Sequence, residues 1–228
     1  MHAQIVLFDG FDPLDVIAPF EVLHAGGTAS GAVSVELVSA EGPREVVSGT
    51  GGLALRATAA LDPARADLVV VPGASGRVGE AGDVPDHEVG AGERTQDDPI
   101  PVLLGRTLTT ELPVLLKAAM GNPQVTVAAV CGGSLVLAMA GLLEGRHAVT
   151  HHLGLDLLDA TGVHVVNARV VDDGDLITSG GVTSGLDLGL YLLEREVGPR
   201  IAHAVEELFA HERRGTVWRA EGPVPVGF

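Results

Sequence analysis

The stretch VTVAAVCGGSLVLAMAGLL, residues 125–143, constrains the fold of this chain more than any other. Its first six residues are apolar or β-branched with no polar alternation, so they read as a strand buried on both faces. Such strands occur where helices cover both sides of a parallel sheet. The pattern then changes to helical spacing at two glycines that follow the only cysteine, Cys131. The same succession recurs. AQIVLF (3–8) leads into LDVIAPFEVLHAGG (14–27), which carries Val16, Phe20 and Leu23 on one helical face and a glycine pair as its stop. Pro19 inside that helix is expected to kink it or mark a re-entry. AVSVELVSA (32–40) and DLVVVPG (67–73) are further strands. EVVSGTGGLALRA (45–57) is a hairpin turning at Gly51-Gly52. Repeated strand–helix alternation of this kind predicts one α/β domain over residues 1–228 with a mostly parallel sheet.

The rest of the chain fits that plan. Residues 102–122 have helical spacing interrupted by Pro113, which predicts two short helices. Residues 133–145 form a helix, HAVTHH (147–152) a strand and 153–162 a helix ending at Gly162. Residues 164–181 are two strands turning at Asp173-Gly174. Two helices close the chain, the first capped by Thr183 and the second opening at Pro199. One segment does not fit: residues 74–100 are rich in Gly, Asp and Glu, an acidic insertion that reads either as a solvated surface loop or as a lid or dimer element.

Composition removes several function classes. The net charge of −16 makes nucleic acid and anionic membranes poor partners. No apolar run reaches the roughly 18 residues of a membrane span, and the first residues lack the basic and apolar regions of a signal peptide. A single cysteine excludes an internal disulfide and fits the cytoplasm. With aromatics at 3%, the core has to be built from Val, Leu and Ala.

In an open parallel sheet, ligands bind beyond the carboxyl ends of the strands. Three loops meet that description: residues 9–15, Pro72-Gly73, and Cys131 with the glycines after it. On a sharp strand-to-helix turn the Cys131 side chain is pushed out of the sheet. Gly132 and Gly133 relieve the Cβ crowding, and the helix N-terminus favours a thiolate, lowering the thiol pKa. The Gly132 N–H is placed to receive developing negative charge. Position alone fits two readings equally, a nucleophile or a buried structural cysteine. Among the acids nearby, Asp12 before Pro13 reads as a turn residue and Glu21 as part of a solvated face, leaving Asp15 as the acid. Its proximity to a thiolate raises its pKa and keeps it protonated. His147, His151 and His152 lie close in sequence, but alternation along a strand sends the last two to opposite faces. With one cysteine they make no ordinary ligand set, so neither metal nor cofactor is expected. His151 is read as a polar residue near the thiol and a candidate base.

AVCGGSLVLAMAGLLEGRHAVTHH, together with LDVIAPFEVL and VVPGA, resembles the DJ-1/PfpI superfamily, and within it the isocyanide (isonitrile) hydratase branch, which also supplies the sensor half of some AraC-type regulators. The resemblance implies a flavodoxin-like three-layer α/β sandwich, with Cys131 at a nucleophile elbow, and a homodimer. It places the reactive cysteine on Cys131, its acidic partner on Asp15 with Pro19 four residues on, a Thr-His pair on Thr150-His151, and the substrate-side glycine loop on Gly73-Ala74. Three features depart from the hydratase pattern. Gly132 stands where those enzymes carry threonine, the acidic insertion has no counterpart in short forms, and HERRGTVW stops short of the hydratase tail. A regulator would need a helix-turn-helix domain, for which no residues of this chain remain. The implied activity is cysteine-dependent attack on a small electrophile: hydration of an isocyanide to an N-substituted formamide, with glyoxal hydration or amide hydrolysis as related chemistries. The non-enzymatic alternative is a redox or stress sensor in which Cys131 is oxidised.

Overall fold

The computed structural model describes residues 1–78, 98–224 and 226. In chain order the elements are β1 (His2–Leu7), α1 (Pro13–Ser30), β2 (Ser34–Ser39), β3 (Arg44–Val47), β4 (Ala54–Ala57), β5 (Ala59–Ala60) and β6 (Leu68–Val71). There follow α2 (Ile100–Thr107), α3 (Leu112–Met120), β7 (Thr126–Val130), α4 (Gly133–Met139), β8 (His147–Ala148), a 3-10 turn (His152–Gly154) and α5 (Leu155–Asp159). The last are β9 (His164–Val165), β10 (Val170–Asp172), β11 (Leu176–Ser179), α6 (Ser184–Glu196), α7 (Pro199–Phe209) and β12 (Trp218–Arg219). The main sheet has the order β12-β10-β11-β7-β6-β1-β2-β5. Its pairings are parallel except between β10 and β11. This is the expected flavodoxin-like sandwich. α1 packs on α6 and α6 on α7, while α2, α3 and α4 belong to the opposite layer.

The all-apolar strands lie where two-sided burial demands. Val127, Ala128, Ala129 and Val130 of β7 are fully buried, as are Val69, Val70 and Val71 of β6 beside it. Each such valine contributes about 1.5–3 kcal/mol by leaving water. The β3–β4 hairpin and the β10–β11 turn form where the sequence puts them. Pro113 opens α3 and so separates it from α2.

Five local expectations are corrected. α1 does not stop at Gly26-Gly27 but runs to Ser30, ending at Gly31 in the left-handed conformation. Pro19 does not break it: buried in the α1–α6 contact, it only withholds the N–H that the Asp15 carbonyl would otherwise receive. α4 covers half of the expected helix. Gly141 adopts φ 72°, and the bonds Gly141 N–H to Ala138 O and Leu142 N–H to Leu137 O close it as a Schellman motif. HAVTHH is strand only at His147–Ala148, outside the main sheet. Thr183 occupies the cap position of α6 but makes no cap bond, because its hydroxyl accepts from Arg169.

Most of the acidic insertion, residues 79–97, lies outside the described residues. Its flanks meet: Arg77 bridges to Pro99, with Arg77 N–H on Asp98 O and Ile100 N–H on Arg77 O. No helix among the described residues is long and apolar enough to cross a membrane.

Candidate functional site

Cys131 follows the last residue of the central strand, and it carries the strain of the turn itself. Its φ is 54°, left-handed for a residue with a Cβ, a conformation that costs of order 1–3 kcal/mol and persists only where its surroundings fix it. Those surroundings are visible. The Cys131 N–H still donates to Ser179 O of β11 at 2.9 Å. Its carbonyl accepts from the buried hydroxyl of Thr150 at 2.8 Å, with Ser134 Oγ at 3.2 Å. Ser134 Oγ also donates to Val149 O at 2.8 Å, tying α4 to the segment after β8.

The two glycines do different jobs from those expected. Gly132 has an ordinary right-handed backbone, and a Cβ there would meet Gly73 Cα at 3.4 Å and Leu104 at 3.6 Å, normal contacts. Gly133 is the position that admits no side chain: a Cβ would sit 2.0 Å from Val71 O. The close approach of α4 to the end of β6 requires that glycine.

The three loops converge as the sheet topology implies. Phe11 bridges to Ala74, and Asp12 N–H donates to Gly73 O at 2.9 Å. Asp15, in the first turn of α1 and fully buried, accepts from Gly73 N–H through Oδ2 at 2.9 Å. A Cβ on Gly73 would meet Gly132 N at 2.6 Å and Asp15 Oδ2 at 2.9 Å, so the bare glycine lets acid, loop and elbow touch. The structure therefore brings Asp15, Gly73, Cys131 and Gly132 together, while Ala74, next along the loop, is buried and bridged to Phe11. The Gly73 N–H, committed to Asp15, positions the acid and is not free to bind substrate.

The electrostatics of the pair differ from the expectation in one respect. Burial, then the nearby Asp12 carboxylate, holds the Asp15 carboxyl well above the usual carboxylate range, against the pull of the Gly73 N–H. That agrees with a protonated acid. The Cys131 thiol, however, is not lowered by its elbow: burial and then the Asp15 charge push it up, and the Gly132 N–H facing the sulfur is the opposing pull. The physical reason is that the thiol is 7% exposed and α4 is two turns long, so desolvation outweighs a short helix dipole. The two groups hold at least one proton between them at neutral pH and titrate as a pair. Asp15 Oδ1 is the one buried side-chain oxygen or nitrogen among the described residues without a hydrogen-bond partner.

His151 is not joined to this pair. It caps the 3-10 turn, its Nδ1 accepting from Leu153 N–H at 3.3 Å, and no hydrogen bond links it to Cys131 or Asp15. It does not sit on a strand, so the opposite-faces argument fails: the His151 and His152 rings lie 4.1 Å apart. Burial, then its neighbour His152, lowers the His151 pKa. The resemblance names Thr150 in its Thr-His pair without a role, and sequence reasoning misses Ser134, because a hydroxyl that bonds a backbone carbonyl leaves no spacing signature. Asp12, read from sequence as a turn residue, is the N-cap of α1, its Oδ1 accepting from Leu14 N–H at 2.9 Å. Its charge also acts on Asp15 and Cys131. A cavity of about 270 Å³ lies one loop away, walled by Gly10, Ser75, Arg44, Leu103 and Arg106, and includes none of the expected site residues.

Comparison with known proteins bears on the family and the fold. The DJ-1/PfpI family model matches residues 106–195, the segment from α2 through the elbow to α6. An isonitrile hydratase of Pseudomonas putida is 49% identical over 80 residues, 35% of this chain and 35% of that protein. The HTH-type transcriptional regulator CdhR of Pseudomonas aeruginosa is 39% identical over 87 residues, 37% of this chain and 26% of the regulator. The chain thus spans about a third or less of the length of these two relatives. A THiJ/PfpI family protein from Pseudomonas syringae superposes with a TM-score of 0.71 at 23% identity, over 94% of this chain and 76% of the other. The segment that carries the elbow, residues 106–195, thus matches the DJ-1/PfpI family, and the fold is that of solved THiJ/PfpI proteins.

Proposed function

We propose that the chain is a cysteine-dependent enzyme acting on a small electrophile, with an isocyanide as substrate and an N-substituted formamide as product. The observation that carries this reading is the buried Asp15 carboxyl. One oxygen is fixed by Gly73 N–H and the other is unpartnered next to a thiol held at a left-handed elbow. The likeness to an isonitrile hydratase supports the choice of substrate. In the proposed cycle, Cys131 sulfur bonds to the terminal isocyanide carbon. The proton held by the pair moves to that carbon, giving a thioimidate. Water then adds to the carbon, the C–S bond breaks, the thiol regains a proton, and the formamide leaves with the elements of one water. Asp15 is the general acid. Gly132 N–H, aimed at the sulfur, steadies its charge. His151, at hand but unbonded to the pair, is the second candidate for proton transfer to water.

A panel of simple isocyanides, glyoxals and amides, assayed with the unmodified chain and with Cys131→Ser, tests the reading. Turnover of isocyanides in preference to the others, lost in the variant, is the expected result. Turnover of glyoxals or amides alone would move the activity to a related chemistry. The same unpartnered oxygen also suits a sulfinate on Cys131, so a second reading is peroxide sensing. It requires selective oxidation of Cys131 with no turnover of any of these substrates.

The proposal includes a cytoplasmic homodimer that needs no nucleic acid, metal or cofactor. Leu14 and Ile17, one helical turn apart on the outward face of α1, are 43% and 36% exposed and would be covered in a dimer. Sedimentation at micromolar concentration is expected to give twice the 23.3 kDa chain mass. A monomer would remove the dimer from the account.

A further inference from the structure

The reading of Cys131 as nucleophile leaves open which electrophiles reach it, and the charges around the site bear on that. We propose that the half-buried Asp12 carboxylate makes the site selective for electrically neutral electrophiles and rejects substrates that carry a carboxylate or phosphate. The inference rests on the proposed nucleophilic role of Cys131.

Its basis is geometric. Asp12 caps α1 one turn before Asp15, and its backbone is pinned to Gly73 O at 2.9 Å. Gly73 in turn touches both Asp15 and Gly132. Asp12 thus stands on the loop that walls the thiol, with its side chain half-buried. It makes no ion pair, and neither does Asp15, although both lie among described residues. The arginines of neighbouring elements are taken up elsewhere: Arg44 by Asp9 and Glu41, Arg169 by Asp187. Among the described residues, the side chains that act on the thiol are the acids Asp15 and Asp12, with no lysine or arginine beside them. His151, which also feels Asp12, is pushed toward its neutral form by burial and does not offset the charge. An anion entering here meets the Asp12 carboxylate, which acts on the thiol, with no cation among the described residues acting beside it, in a partly desolvated place where screening by salt is weak.

The test needs no turnover, so it separates this inference from the assigned activity. Iodoacetamide and iodoacetate alkylate the same thiolate and differ by one charge, so thiolate population cancels in the ratio of their rates. The reference is the same ratio for the chain unfolded in urea. The folded protein is expected to prefer iodoacetamide by at least about tenfold more than the reference. Asp12→Asn, which caps a helix as well as aspartate does, is expected to return most of that excess preference with little change in Tm. Asp12→Ser, also a cap, should behave alike. A ratio equal to the unfolded reference would overturn the proposal. So would a preference that survives in both variants, or a folded thiol that takes neither reagent at pH 9. If the selectivity holds while the substrate panel shows no turnover, it is the assigned activity that fails and not the charge gate.

Discussion

Replacing Asp15 by asparagine is expected to lower turnover by roughly 100-fold or more, the usual scale for losing a general acid, while leaving the protein at least as stable at neutral pH. The geometry makes asparagine a close imitation of the protonated acid. Its carbonyl oxygen can accept from Gly73 N–H as Oδ2 does, and its amide can donate toward the sulfur from the place of Oδ1. What it lacks is a proton to give. The stability direction follows from the raised pKa. Asp15 holds its proton in the fold at a pH where the unfolded chain has released it. Stability from this group is full below the ordinary carboxylate range near 4 and declines by about 1.4 kcal/mol per unit as pH rises from there to the raised folded value. Asparagine removes that decline. The thiol should also titrate lower, because the carboxylate that pushes it up is gone. Steady-state kinetics, a melting curve and a thiolate titration by ultraviolet absorbance on one variant check all three. Full activity in a folded Asp15→Asn protein would remove Asp15 from the mechanism and leave His151 as the next candidate.

The second large effect concerns the two glycines after the thiol, which look equivalent in sequence. Gly133→Ala is expected to cost about 3 kcal/mol, the upper end of ordinary overpacking, and to lower Tm by roughly 6–12 °C for a chain of this size. Its Cβ has a backbone carbonyl, Val71 O, at 2.0 Å, and neither β6 nor α4 can move without disturbing the elbow. Gly132→Ala, with contacts of 3.4 Å and beyond, should stay within about 1 kcal/mol of the parent, in the range of a mild packing change. Differential scanning calorimetry on the pair settles the assignment. Equal losses would mean that the elbow is held by the conformational freedom of both glycines and not by close approach at one.

This asymmetry marks the boundary of what the chain discloses unfolded. The buried strands were legible because AQIVLF, DLVVV and VTVAAV have no polar alternation, and only a two-sided parallel sheet buries such runs. Convergence of Asp15, Gly73 and Cys131 followed from the rule that strand ends face one way. The extent of α4 was not legible, because Leu142 and Leu143 continue the apolar pattern past Gly141, and only the backbone shows that the helix closes there. Nor was the short reach of the HAVTHH strand: a 3-10 turn capped by His151 puts His151 and His152 ring to ring. The direction of the Cys131 pKa was missed because sequence displays the helix start but not the depth of the thiol. Desolvation, set by packing from several elements, outweighed the local term.

The central claim is that Cys131 is a nucleophile toward an isocyanide. The most direct measurement is formation of the N-substituted formamide from one simple isocyanide, followed by proton NMR, with the unmodified chain and with Cys131→Ser at equal concentration. The account predicts many product molecules per unmodified chain and none above the uncatalysed rate from the variant. Equal product from both proteins, or none from either, would contradict it.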